Sequence, residues 1–165
     1  MPKLYLIRHA EPTVTGVFHG CRNDVPLRDA PPTFDLPVEV VYVSPMQRAR
    51  QTAANFTVPQ IVLEELREID FGQWGGLGWD EIEQRWPELT RGLNRNWFGV
   101  SPPGGESWAD FTSRVARVLK VVLADPRPKA IVAHGAVNAV AAGLLRGGDP
   151  SQFKQHYAQV SEFEA

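Results

Sequence analysis

Leu4-Tyr5-Leu6-Ile7, Val38 to Val43 and Ala130-Ile131-Val132-Ala133 are short, nearly continuous apolar runs, and helical patterns lie between them. Runs of this kind suit strands covered on both faces, and strands alternating with helices build a mostly parallel sheet. Ile61-Val62-Leu63 adds a third strand, and Tyr157 to Phe163 reads as a last one. The clearest helix opens at Ser107 with Asp110 three residues on. Its Trp108, Phe111, Val115, Val118, Leu119 and Val122 share one face. Ser44-Pro45-Met46-Gln47 predicts a second helix from Pro45 to about Asn55, with Ser44 as cap and Gln47 completing a capping box. A shorter helix is expected from about Asp80 to Arg85, after the glycine-rich turn Gly72 to Gly78. An alanine-rich one ends near Arg146, closed by Gly147-Gly148. The expected fold is a single α/β domain over residues 1–165, a mostly parallel sheet flanked by helices.

Composition excludes several classes. The single cysteine, Cys21, rules out an internal disulfide and carries no sign of reactivity. A formal net charge of -2 lacks the basic excess of a nucleic-acid binder. No apolar run approaches the ~20 residues of a membrane span. The N-terminal apolar stretch is too short for a signal peptide, so a cytoplasmic protein is expected. No clustered His, Cys or Asp set has evident metal spacing, and neither metal nor cofactor is expected.

His9 and His134 each follow a short strand closely, and ligands in open α/β sheets bind beyond the carboxyl ends of the strands. Arg8 adjoins His9, and Arg48 lies in the first turns of a helix that also follows a strand. A strand-end histidine taken alone is commonly structural, and a lone arginine is commonly a surface charge. Two of each converging on one edge would make a cationic pocket suited to a phosphate dianion, which arginine grips bidentately.

Leu6-Ile7-Arg8-His9-Ala10-Glu11 resembles the Arg-His-Gly signature of the histidine phosphatase superfamily, the phosphoglycerate mutase-like proteins. Ser44 to Ala53 resembles the segment with that family's second phosphate-binding arginine. Leu66 to Gly72 resembles the segment with its acid, Pro103-Gly104-Gly105-Glu106-Ser107 the turn before its long helix, and Val132-Ala133-His134-Gly135 the segment with its second histidine. The resemblance implies the phosphoglycerate mutase-like fold. It implies His9 as the nucleophile, with Arg8, Arg48 and His134 holding the phosphoryl oxygens, and Glu68 as general acid and then base. It also implies chemistry without a metal.

The sequence departs from the family pattern in places. Ala10 replaces the signature glycine, and Gly75 stands where relatives often carry glutamate. Residues 28–37 are too proline-rich and short for the family's first crossover helix, so that face of the sheet should be thinly covered, or covered by a partner. The loop from Ala10 to Pro37 offers Thr15, His19 and Arg22 as substrate contacts, each of which could instead only shape the loop. Residues 16–27 are similar to loops of small bacterial phosphatases, including α-ribazole phosphatases. The five tryptophans read as core, with one or two left to line the pocket, and His156 as structural or exposed. The implied activity is hydrolysis of a small phosphorylated metabolite, with self-association left open. The alternatives are a phosphoglycerate mutase-type phosphoryl transferase and a non-catalytic phosphate-binding protein of the same fold.

Overall fold

The computed structural model describes residues 1–165. Strands β1 (Lys3–Arg8), β2 (Val40–Val43), β3 (Gln60–Val62), β4 (Lys129–Ala133) and β5 (Val160–Glu164) form one sheet, ordered β3-β2-β4-β1-β5. The first four are mutually parallel, and β5 runs antiparallel to β1 at the edge. The helices are α1 (Gln47–Thr52), α2 (Trp79–Arg85), α3 (Pro87–Thr90), α4 (Trp108–Leu123) and α5 (Gly135–Arg146). This is the mixed α/β architecture that the alternating pattern predicts.

Strand alternation divides the apolar side chains between two faces. Leu4, Leu6, Val40, Tyr42 and Ile131 meet α4 and α5 in the larger core, where Trp74 and Phe111 are fully buried. Tyr5, Ile7, Val41, Val43, Ala130 and Val132 face the other way, onto Ala49 and Ala53. Residues 31–37 form no helix, and Phe34 and Leu36 pack here with Phe56 and Val58. The expectation of a thinly covered face does not hold, because these residues leave the sheet side chains beneath them at most 3% exposed although no crossover helix forms. No helix is long and apolar enough to cross a membrane.

Ser107 caps α4 as expected, accepting from the Asp110 N–H at 3.1 Å. At α1 the expected capping box does not form. The helix starts at Gln47, and Met46 at its cap position makes no side-chain hydrogen bond. Asp24, from the long loop, accepts from the Gln47 N–H instead, at 2.6 Å. Ser44 Oγ still accepts from the Met46 N–H at 3.3 Å while lying 2.7 Å from His134 Nε2, but its own N–H is taken by the Val132 carbonyl at 3.0 Å, so the Gln47 side chain has no donor to return to. The last strand begins at Val160, later than predicted, because Ala158 turns the chain in a left-handed conformation with φ 58°.

Candidate active site

Register brings the two histidines together. In the parallel β1–β4 pair, Arg8 stands opposite Ala133, so the next residues, His9 and His134, leave adjacent strands side by side. Their ring centroids are 5.3 Å apart. His9 Nδ1 is 2.8 Å from the Ala10 carbonyl oxygen. A carbonyl only accepts, so Nδ1 carries the proton and Nε2 keeps its lone pair. Burial, with Arg48 and Arg8 beside it, pushes the His9 pKa down to about 3, so the ring is neutral at physiological pH. His134 is fully buried and held well below its ordinary value by burial first, then by Arg48 and His9. Its Nδ1 has no hydrogen-bond partner.

Both arginines are anchored by their terminal nitrogens. Arg8 donates from Nη1 to the Gln155 carbonyl at 2.7 Å and lies 4.3 Å over the Tyr157 ring. Arg48 donates to the Asn23 and Gly20 carbonyls at 3.0 and 2.9 Å. The Nε–H of each is buried without an acceptor. An unsatisfied buried donor typically costs about 1–3 kcal/mol, more when charged. Thr52 links the two neighbourhoods, accepting from the Ala10 N–H at 2.8 Å and donating to the Arg48 carbonyl at 2.7 Å.

Glu68 completes the group. It is buried, with Oε1 accepting from its neighbour's Ile69 N–H at 3.0 Å and Oε2 from Ala136 N–H, in the first turn of α5, at 3.4 Å. Burial raises its pKa against the pull of those N–H groups and Arg48. The segment carrying it is held by Arg114, which donates from Nη1 to the Glu65 and Arg67 carbonyls at 2.6 and 2.8 Å. Arg114 also makes a bidentate pair with Glu106, both contacts at 2.8 Å. Breaking one side of such a buried pair typically costs about 3–5 kcal/mol. Sequence reasoning passed over Arg114, although a cation within the apolar stripe of α4 was a readable signal. Gly72 and Gly105 allow the two segments to meet backbone to backbone. A Cβ on Gly72, at φ +52°, would come within 2.3 Å of the Gly105 nitrogen, and one on Gly105 within 2.3 Å of the Asp70 oxygen.

Arg8, His9, His19, Arg48 and Glu68 line one cavity of about 960 Å³. His19 donates from Nε2 to the Val14 carbonyl at 2.7 Å, which leaves Nδ1 an unpartnered acceptor. Three expected contacts are absent from the cavity lining, the first being His134, which is fully buried with its ring packed against His9. Thr15 is exposed and does not line the cavity. Arg22 is held away from it by Asp70, at 2.8 and 2.9 Å, and by the Gly104 carbonyl at 3.2 Å. Trp97 lines the cavity whereas Trp74 is core, and exposed His156 stands at the rim. Ser44 and Tyr157 also escaped the sequence reading, because their partners are distant in the chain. No three His, Cys, Asp or Glu side chains are grouped as metal ligands.

The "bifunctional protein Rv2228c" of Mycobacterium tuberculosis is 39% identical over 87 residues, covering 48% of this chain and 23% of that one. The 2,3-bisphosphoglycerate-dependent phosphoglycerate mutase of Bartonella quintana is 36% identical over 87 residues, covering 48% of this chain and 42% of the mutase. The chain thus spans less than half the length of either relative. A putative α-ribazole-5'-P phosphatase from Escherichia coli superimposes with a TM-score of 0.79 over 98% of this chain and 89% of its own, at 22% identity. That likeness is one of fold. Residues 32–165 match the family model described as histidine phosphatase superfamily (branch 1), a match that leaves out Arg8 and His9. The matched region includes Arg48, Glu68 and His134, and the chain belongs to the histidine phosphatase superfamily.

Proposed function

We propose that the protein is a phosphomonoesterase that works through a phosphohistidine on His9 and needs no metal. The observation that carries this reading is that Arg8 Nε and Arg48 Nε, buried without acceptors, belong to residues lining the same cavity as His9, and that the unpartnered His134 Nδ1 is on the ring packed against His9. Three donors without acceptors beside a neutral nucleophile suit a phosphoryl group, which brings several acceptor oxygens and two negative charges.

In the first step His9 Nε2 forms a bond to phosphorus and the ester P–O bond breaks. Glu68 gives its proton to the leaving oxygen. The positive charge that develops on the ring is met by the Ala10 carbonyl through Nδ1–H. In the second step the Glu68 carboxylate takes a proton from water as the water oxygen attacks phosphorus. The P–Nε2 bond breaks and neutral His9 returns. Glu68 is suited to both steps because burial lifts its pKa and a bound phosphate dianion lifts it further.

Ser44 sets the tautomer of His134. Its oxygen accepts from the Met46 N–H at 3.3 Å, and in this reading its hydroxyl donates to His134 Nε2, leaving Nδ1–H to donate to the phosphoryl group. Ser44→Ala should lower kcat/KM about 3- to 10-fold, the worth of one hydrogen bond. It should also allow a proton on His134 Nε2, read as altered ¹⁵N shifts of the ring. Unchanged shifts and rates would remove Ser44 from this role.

The direct test of the function is phosphate release from simple monoesters by purified protein. Activity should be undiminished in EDTA, and loss restored by one divalent ion would overturn the metal-free mechanism. A mutase reading draws support from the Bartonella relative. Isomerisation of a phosphoglycerate in preference to phosphate release would favour it.

A further inference from the structure

The cavity of about 960 Å³ is at the upper end for sites that hold drug-sized ligands, and a phosphoryl group fills only one pole of it. The rest must receive the alcohol part of an ester. Its wall includes Phe18, Phe71, Trp97 and Phe98, and among all lining residues the only carboxylate is Glu68. The four rings form a connected cluster. Phe18 and Phe71 centroids are 4.8 Å apart, Phe71 and Trp97 4.9 Å edge-to-face, and Trp97 and Phe98 4.7 Å stacked.

Three features indicate a binding surface as well as packing. Trp97 and Phe98 are only half-buried, whereas Trp74, which serves the core, is fully buried. They are consecutive residues whose rings nevertheless stack, although successive side chains on an extended chain point apart. A turn achieves this, closed by Val100 N–H donating to the Trp97 carbonyl at 3.0 Å. Just before them Asn94 and Arg95 take left-handed conformations at φ 47° and 61°, uncommon for arginine, and Arg95 is tied to Asp80 and Glu83 on α2. Phe18 and Gly20 connect the wall to the phosphate pole, since the Gly20 carbonyl accepts from Arg48.

Resting on the phosphatase reading, we infer that Phe18, Trp97 and Phe98 form an aromatic subsite that selects phosphate esters carrying a flat aromatic or heteroaromatic group. An aromatic pair is worth about 0.5–1.5 kcal/mol beyond its buried area, or about 2- to 12-fold in kcat/KM.

Benzyl phosphate and cyclohexylmethyl phosphate test this directly. Both release a primary alcohol of similar acidity, and they differ in ring planarity and π character. The wild-type protein should prefer the benzyl ester about 2- to 12-fold, chiefly through KM. In Trp97→Leu the ratio should fall toward one, and Trp97→Phe should restore part of it. Phe98→Leu gives an independent reading should Trp97→Leu not fold. Hydrolysis of both esters at equal rates would overturn the subsite while leaving the phosphatase reading intact, and so would a preference that survives Trp97→Leu and Phe98→Leu. Binding of benzylphosphonate and cyclohexylmethylphosphonate, followed by tryptophan fluorescence, separates the remaining case. Aromatic preference in binding without hydrolysis of any ester would support the subsite and defeat the phosphatase reading. Binding of neither phosphonate would defeat both.

Discussion

His9→Ala should lower phosphate release by about 10⁴-fold or more, because it removes the atom to which phosphorus bonds. The wild-type protein, mixed briefly with labelled substrate and quenched in base, should carry the label on a His9 peptide. Base preserves phosphohistidine better than acid does. His9 is prepared for this role, since its pKa of about 3 leaves the ring neutral through the physiological range and the Ala10 carbonyl fixes the free electron pair on Nε2. Label on Ser44 or Cys21, or undiminished turnover in His9→Ala, would overturn the assignment.

Glu68→Gln should slow hydrolysis of alkyl phosphates by about 10²–10⁴-fold, the usual contribution of general acid catalysis. p-Nitrophenyl phosphate should suffer far less, because p-nitrophenolate leaves without a proton. This contrast requires that transfer to His9 limits the rate. If loss of phosphate from His9 limits instead, a burst precedes the steady state and both substrates slow equally, since Glu68 then acts as base on water. The pH profile supplies a second readout. Burial raises the Glu68 pKa, so the required proton is present below the raised value and is lost as pH rises through it. The wild-type rate on alkyl esters should therefore fall on the basic side, and that limb should vanish in Glu68→Gln. Near wild-type rates on both substrates would show that Glu68 is not the acid, and Glu11 and Asp70 would be next to test.

The elements that frame the site were legible because each rests on short-range pattern. Continuous apolar runs marked β1, β2 and β4, and Ser107 with a 3.6-residue stripe marked α4. A histidine straight after each of two strands sufficed to place His9 and His134 at one edge of the sheet. The same local logic was half right at Ser44, whose oxygen accepts from the Met46 N–H, while the reciprocal half of the box is lost because the Ser44 N–H pairs with the Val132 carbonyl. The hydroxyl also meets a histidine 90 residues away, and a loop aspartate accepts from the next N–H, that of Gln47. It failed for Arg22, which loop position offered to substrate but which Asp70 holds aside, and for Thr15, which stays exposed.

Local sequence therefore determined which segments become strands and helices and which ionisable residues leave the strand ends, because propensity, capping and periodicity act over a few residues. Only the tertiary structure decided the β1–β4 register that sets the histidine rings 5.3 Å apart. It also decided the burial of Arg114 against Glu106 and the stacking of Trp97 on Phe98 inside the cavity. Those contacts depend on which distant groups remain unpaired when the layers close. A buried donor or acceptor takes whatever partner the packed chain presents, and no local pattern encodes that choice.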